Sequence, residues 1–147
     1  MAHTMHNVSH AITLNGGQLV QSILLGEKGV ENRGWRIPPG WYGLHCGLKH
    51  EMLALTHPFV VNEDWYPEIQ PEETQPHGAI VALIRLERAR DVTTIHPNDR
   101  TPWHHGQYCH EILEVVELSQ PFLIKGKQRL WRIPVEYLPE ILSRTNN

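Results

Sequence analysis

Three charged residues lie close together in the segment that follows the first predicted helix. They are Lys28, Glu31 and Arg33. Glu31 and Arg33 are two positions apart, so on an extended segment they point to the same side, roughly 7 Å from each other. Lys28 comes directly before this segment. The spacing therefore predicts that an ammonium, a carboxylate and a guanidinium converge on one open hollow.

This group of charges is compatible with two kinds of site. In a binding site, Arg33 and Lys28 would hold phosphate or base oxygens, and Glu31 would accept a hydrogen bond from an exocyclic amine or orient Arg33. In an enzyme, a desolvated Lys28 would act as nucleophile or base, Glu31 would move protons, and Arg33 would stabilise an oxyanion. The alternative without a ligand is an ion pair that closes the helix-to-strand junction.

Aromatic side chains near these charges are candidates for stacking on an unpaired base. Trp35 shares the predicted face of Glu31 and Arg33, and Arg36 beside it could contact a phosphate. Trp41 and Trp103 are further candidates for stacking, although tryptophans of a small barrel more often pack in the core or at its rim. Trp131 lies on one predicted strand face with Ile133 and is interpreted as core.

Two basic clusters lie far from the first motif in sequence. Lys125 and Lys127, with Arg129 and Arg132 after them, could follow a phosphate backbone if the fold brings them beside the hollow. Arg85, Arg88 and Arg90 form the other cluster. A solvated surface interleaved with acidic residues is the alternative for both.

A dense group of potential zinc ligands occurs between the predicted strands. His104, His105, Cys109 and His110 carry imidazole and thiol groups. Strand alternation points Cys109 and His110 to opposite faces, so the pattern favours a loop and strand without a metal. No cofactor is predicted.

The elements that must position these residues are predicted from hydrophobic periodicity and from Gly and Pro positions. Strands are expected over 10–14, 30–35, 41–47, 78–92, 108–118 and 129–133, a helix over 15–25 with its cap at Asn15 and Gly16, and a closing helix after Pro134. Residues 58–76, rich in Pro and acid, are expected to form a long surface excursion. The fold class is mostly β with flanking helices (α+β), a barrel of about five to six strands.

Composition limits the classes of protein. A chain of 147 residues, 40% of them hydrophobic, can bury one core, so residues 10–147 are expected to form one domain after a flexible terminus at 1–9. No run reaches the roughly 20 apolar residues of a membrane span, and no membrane partner is expected. Two cysteines indicate a reducing, intracellular setting, cytoplasmic or nuclear. The net charge of -3 means that any phosphate contact must come from a local basic surface.

Residues 25–35, Leu-Gly-Glu-Lys-Gly-Val-Glu-Asn-Arg-Gly-Trp, resemble the G-x-K-x-x-E-x-R signature of the ASCH family, which is related to PUA domains. The preceding helix stands where that family places one. Residues 103–113 and the Lys-Gly-x-x-x-x-Trp element within 121–134 extend the resemblance to most of residues 11–134. The resemblance implies a PUA-like barrel that binds RNA or DNA.

A compact bacterial branch of the family hydrolyses N4-acetylcytidine with a Lys, a Thr and a Glu. The resemblance makes Lys28 the counterpart of that Lys, but the Thr position is occupied by Glu31. Three hypotheses follow. The first is a nucleic-acid-binding module, for RNA or single strands, with a nucleotide-sized cleft. The second is a hydrolase of a modified nucleoside or of RNA, with Lys28 and Glu31 as catalytic residues. The third is a protein-interaction domain that uses the acidic excursion at 62–73.

Overall fold

The structure, a computed structural model, describes residues 4–48, 70–101, 103–104 and 106–145. Two α-helices and seven strands are present in this part of the chain. The helices are α1 (Gly17–Leu24) and α2 (Leu138–Ser143). The strands are β1 (His10–Leu14), β2 (Val30–Arg33), β3 (Gly40–Cys46), β4 (Ala79–Leu86), β5 (Arg90–Asp91), β6 (Tyr108–Leu123) and β7 (Leu130–Arg132).

The strands form one curled sheet that resembles half a barrel. Its order is β2-β6-β4-β3-β1-β7, and β5 also pairs with β6. β1 and β3 run parallel, while the other pairs are antiparallel. Irregularities in the β3–β4 and β4–β6 registers bend the strands, as bulges do. The prediction of a mostly β, α+β chain with a short early helix and a C-terminal helix is confirmed.

The two central strands are apolar because both of their faces are covered. Every residue of β3 is buried, and β4 is buried except at Arg85. Strands enclosed on both faces read as continuous hydrophobic runs, which explains the run from Ala79 to Ile84. Ile12, Ile23 and Leu44 belong to the core cluster on the α1 side. The buried centre of the sheet, β3 and β4, therefore lies between β2, which carries Glu31 and Arg33, and β1.

Helix α1 packs one apolar face on the sheet. Leu19, Val20 and Ile23 are buried, as their helical spacing predicts, and Gly26 follows the helix with a left-handed φ of 79°. The cap position is one of the two predicted residues, but no side chain of the predicted pair provides the cap. Gly16 is the N-cap residue and provides no side chain.

The start of α1 is capped instead by a residue more than fifty positions later in the chain. Glu72 accepts hydrogen bonds from the backbone N–H groups of Gly17, at 2.6 Å, and Gln18, at 3.0 Å. His77 Nε2 lies 2.6 Å from the same carboxylate. These bonds lower the pKa of Glu72 although burial opposes them. A carboxylate is well placed here because the first N–H groups of a helix have no partner within it.

Several strand boundaries differ from the predictions. The expected long strand over 78–92 divides into β4 and β5, because Glu87 N bonds to Glu111 O and the chain then pairs with an earlier part of β6. β2 ends at Arg33, before Trp35, and β6 extends to Leu123. The six strands along the sheet order agree with the predicted five to six, and the two-residue β5 pairs with β6 beside them.

The described residues near the amino terminus pack on the sheet. Within the terminus that was expected to be flexible, Met5–Asn7 form a 3-10 turn and Val8 is buried in the core cluster of Trp131 and Ile141. Of the expected excursion at 58–76, residues 58–69 lie outside the described residues, while 70–76 contact α1. Neither described helix is long and apolar enough to cross a bilayer.

Candidate functional site

Lys28 is fixed by the end of helix α1. The backbone N–H groups of Glu27 and Lys28 both donate to Ser22 O, which turns the chain sharply after the helix. The Lys28 side chain is 4% exposed, donates to Val30 O, and lies 5.6 Å from the centre of the Trp103 ring. Lys28 therefore points inwards, towards the start of β2.

Glu31 joins the three charges into one cluster. Its Oε1 accepts a hydrogen bond from Arg33 Nε at 2.8 Å, and its Oε2 lies 3.8 Å from Lys28 Nζ. Oε2 is buried and has no hydrogen-bond partner within the described part of the chain. The three side chains converge as their spacing predicts, and we call them the charge cluster.

The charge cluster does not line an open hollow along its whole length. Lys28 and Glu31 are 4% and 2% exposed, and Arg33 is 17% exposed. Of the three side chains, Arg33 is therefore the most exposed. Since paired charges hold each other in a fixed geometry, Lys28 and Glu31 are better placed to orient Arg33 than to contact a large ligand.

Burial lowers the pKa of Lys28, because a charged ammonium is costly to remove from water. The negative charge of Glu31 opposes this shift, and Arg33 adds to it. A lysine with a lowered pKa is one requirement of the hydrolase hypothesis. The bond to Val30 O and the near-complete burial do not favour direct attack on a substrate.

His110 supports the charge cluster from strand β6. Its Nδ1 lies 3.0 Å from Glu31 O and its Nε2 accepts a hydrogen bond from Ile37 N at 2.9 Å. Because Glu31 O can only accept, Nδ1 carries the proton of the neutral ring. Burial lowers the pKa of His110, against the hydrogen bond and charge of Glu31. His110 was weighed as a potential zinc ligand, with a strand without a metal favoured, and in the structure both ring nitrogens form hydrogen bonds.

Two of the other potential zinc ligands also have hydrogen-bond partners. His104 Nε2 lies 2.9 Å from Glu111 Oε1, and the Cys109 thiol faces Asn32 Oδ1 at 3.4 Å. His105 lies outside the described residues. In the part of the chain that the structure describes, no three His, Cys, Asp or Glu side chains are grouped to hold a metal ion.

Thr13 connects the charge cluster to the loop that carries the predicted basic residues Lys125 and Lys127. Its carbonyl oxygen accepts a hydrogen bond from Arg33 Nη2 at 3.0 Å. Its hydroxyl donates to Lys127 O at 2.6 Å and accepts from Trp131 Nε1 at 2.9 Å. Arg33 and the Lys125–Lys127 loop are remote in sequence, and one residue of β1 bonds to both.

A hollow of about 140 Å³ lies on the loop side of Thr13. It is lined by Thr13, Asn15, His45, Gly47, Leu48, Lys125, Gly126, Lys127 and Gln128. We call it the Thr13 hollow. Ligand pockets for whole nucleotide-sized molecules usually measure 300 to 1,000 Å³, so this hollow suits a small group such as a phosphate.

His45 forms the buried wall of the Thr13 hollow and is 2% exposed. Its Nε2 lies 2.8 Å from Ile124 O and its Nδ1 lies 3.2 Å from Thr13 Oγ1. The Trp131 ring meets it edge-on at 5.4 Å. A Cβ at position 126 would lie 2.4 Å from His45 Cε1, so a glycine is required for the loop to approach the ring.

Arg36 lies at a different groove. Its guanidinium carbon is 4.6 Å from the centre of the Tyr108 ring, and Nη1 contacts Ala89 O at 3.5 Å. This groove, of about 450 Å³, is also lined by Ile37, Pro38, Pro39 and Arg88. Its lining shares no residue with that of the Thr13 hollow.

The tryptophans are placed in or against the core. Trp35 is half-buried against the core cluster on the α1 side, beyond the end of β2. Trp41 and Trp103 are buried in core clusters, and Trp131 is core as predicted. Packing therefore accounts for these rings without a stacked base.

Sequence reasoning missed Thr13, His45 and His110 as parts of the site. No local signal marks them, because their bonds span 32 residues from Thr13 to His45, 114 from Thr13 to Lys127, and 79 from Glu31 to His110. Only the strand alternation at 10–14 and 41–47 hinted at their sidedness.

No protein-family model matches the chain, and no curated protein matches it either. The resemblance to the ASCH family therefore rests on the sequence motifs quoted above.

Proposed function

We propose that this chain is a nucleic-acid-binding module of the ASCH type, with a PUA-like barrel, and that it contacts RNA or single strands through Arg33, Lys125 and Lys127. One observation carries the proposal. Thr13 holds the Arg33 guanidinium through its carbonyl and the Lys127 main chain through its hydroxyl, so two segments that carry predicted cations meet at one end of β1. Such convergence is what a local phosphate-binding surface on an acidic chain requires.

The hydrogen bonds that position the Arg33 side chain support its proposed role in binding. Nε is bonded to Glu31 and Nη2 to Thr13 O, whereas Nη1 has no partner among the described residues. A guanidinium held on one edge and open on another is pre-organised to donate to a phosphate or base oxygen. In this proposal Lys28 and Glu31 hold the Arg33 guanidinium in place. Arg36 and its groove are a separate contact for the nucleic-acid strand.

The two lysines of the Thr13 hollow supply the sequence-independent part of the affinity. Both are exposed, and within the described residues neither forms an ion pair. Arg85 and Arg144, in contrast, are paired with Glu114 and Glu140. Unpaired lysines are available to neutralise phosphates, and each such contact adds about one to the slope of log K against log salt.

The test is a fluorescence anisotropy titration of labelled single-stranded RNA, single-stranded DNA and duplex over a series of salt concentrations. We expect salt-sensitive binding that Lys125→Gln/Lys127→Gln weakens, with a salt slope smaller by about two. The matched control is Arg85→Gln/Arg144→Gln, which removes the same charge elsewhere and should leave the slope unchanged. The absence of salt-sensitive binding to any of the three, or an equal loss in the control, would contradict the proposal.

A second candidate function is the hydrolase, because burial lowers the pKa of Lys28 beside the Glu31 carboxylate. A neutral amine could act as base or nucleophile in cleavage of an amide such as that of N4-acetylcytidine, with water yielding cytidine and acetate. The check is incubation with N4-acetylcytidine and chromatography of the products. Turnover that Lys28→Ala abolishes and Lys125→Ala retains would favour the enzyme, and equal turnover by Lys28→Ala would exclude this mechanism.

A further inference from the structure

The hydrogen bonds around the Thr13 hydroxyl are one proton short. Lys127 O can only accept, so the Thr13 hydroxyl uses its single proton in the 2.6 Å bond to that carbonyl. Ile124 O can only accept as well, so His45 Nε2 carries a proton. The Trp131 Nε1–H donates to the Thr13 oxygen. His45 Nδ1 then faces an oxygen that has no proton left to give.

Only a second proton on His45 satisfies every atom of this set. With a neutral ring one contact always lacks a proton: His45 Nδ1 with Thr13 Oγ1 at 3.2 Å, Thr13 Oγ1 with Lys127 O, or His45 Nε2 with Ile124 O. With an imidazolium, Nδ1 donates to Thr13 Oγ1 and Nε2 donates to Ile124 O, while Thr13 keeps its bond to Lys127 O. Protonation of His45 thus adds a direct bond between the two residues that hold the loop, Thr13 of β1 and His45 of β3, and both of their bonds to the loop remain.

Burial opposes that proton. It lowers the pKa of His45, and the hydrogen bond to Ile124 O raises it by less. Among the described residues, the elements packed around the ring add no negative charge. The loop after β6 contributes Lys125 and Lys127. Thr13 lies on β1 and Asn15 follows that strand. Ile80 on β4 and Trp131 on β7 are the other neighbours of the ring.

The described lining of the Thr13 hollow therefore contains two ammonium groups and a histidine, and no carboxylate. An anion placed there would be the counter-charge for an imidazolium. Since two ligands that stabilise each other are coupled reciprocally, an anion would raise the pKa of His45, and a proton on His45 would tighten anion binding.

We propose that the Thr13 hollow takes up a proton together with a phosphate group of its ligand, and that His45 is the residue that binds this proton. This inference rests on the proposed function, in which the hollow contacts a nucleic-acid phosphate. Binding is then stronger in mildly acidic solution, and the 124–127 segment is held more firmly in the bound state. Phosphodiesters keep their charge over this pH range, so the protein is the source of the pH dependence.

The test is isothermal titration calorimetry of the full chain with a single-stranded oligonucleotide at pH 6.5, in two buffers with different ionisation enthalpies. We expect net proton uptake on binding, and an affinity about fivefold higher at pH 5.5 than at pH 7.5. His45→Gln should abolish both effects. His10→Gln, at the other end of β1, is the matched control and should keep both.

The outcomes separate this inference from the proposed function. Binding without proton uptake, or with uptake that His45→Gln retains, overturns the role of His45 and leaves nucleic-acid binding standing. If no oligonucleotide binds, the proposed function fails, and sulfate then serves as the probe. The imidazole resonances of His45 in the unmodified protein are followed by NMR with and without sulfate. A rise in the pKa of His45 with sulfate supports the inference, and an unchanged pKa overturns it.

Discussion

The charge cluster and the Thr13 hollow contain similar groups and use them differently. In the cluster, Lys28 and Glu31 form a buried ion pair, and the carboxylate oxygen that faces Lys28 has no hydrogen-bond partner among the described residues. In the hollow, Lys125 and Lys127 are exposed, and His45 is the buried titratable group. Charges that are sealed from water fix geometry, whereas charges that remain in water are available to a ligand. Arg33 belongs to the first region and reaches the second through Thr13.

The largest effect is expected from Glu31→Gln. The substitution leaves the buried Lys28 ammonium without its counter-charge, and breaking a buried pair in this way costs about 3 kcal/mol or more. Urea unfolding monitored by tryptophan fluorescence measures it. Glu114→Gln is the matched control, because its exposed pair with Arg85 should contribute less than about 1 kcal/mol. Equal losses would show that the cluster is no more than a surface ion pair.

Thr13→Val tests the junction between the two regions. Valine keeps the shape but leaves Trp131 Nε1 and Lys127 O without their partner, so the free energy of unfolding should fall by about 2 kcal/mol. Thr13→Ser retains the hydroxyl and should lose much less. Amide hydrogen exchange of residues 124–128 should accelerate in the valine variant alone. Similar exchange in both variants would show that the hydroxyl does not hold the loop.

Acidification should weaken the cluster region through His110. Its pKa is lowered from the ordinary value of 6.5, so below pH 6.5 the unfolded chain binds a proton that the folded chain does not. The free energy of unfolding therefore falls as the pH drops from 6.5 to the lowered pKa, and is level above 6.5. Urea unfolding between pH 8 and 5 checks this. His110→Gln should flatten the slope relative to the exposed His6→Gln, and an equal slope in both would contradict it.

Lys127→Gln is expected to change the stability least. The side chain is exposed, so the free energy of unfolding should stay within about 0.5 kcal/mol of the unsubstituted protein. The salt slope of oligonucleotide binding should nevertheless decrease by about one. A loss of stability comparable to that of Thr13→Val would mean that the lysine side chain, and not only its carbonyl, holds the loop.

Much of the fold followed from local pattern. The apolar face of α1, the left-handed Gly26 and the positions of β1 and β3 are as periodicity and turn residues predict. The division of 78–92 was not predictable, because the bond from Glu87 N to Glu111 O depends on the neighbouring strand. The continuous apolar content of β4 masked that break.

The candidate site was predictable only in part, for a similar reason. The convergence of Glu31 and Arg33 follows from two-residue spacing on one strand, and it is confirmed at 2.8 Å. Their burial does not follow from spacing, since it depends on what β6 and Trp103 place around them. The prediction that the whole charge cluster lines an open hollow was therefore wrong for Lys28 and Glu31. Bonds from Thr13 to Arg33 and Lys127 required the assembled sheet.

The cap of α1 by Glu72 has a consequence for the order of folding. A helix of eight residues whose first N–H groups are bonded by a carboxylate 55 positions away cannot be completed by its own segment. Closing a loop of that length costs conformational entropy before the bond forms. Helix α1 should accordingly gain its full protection late, together with the docking of residues 70–77. A peptide of residues 10–33 alone should remain largely unstructured in water.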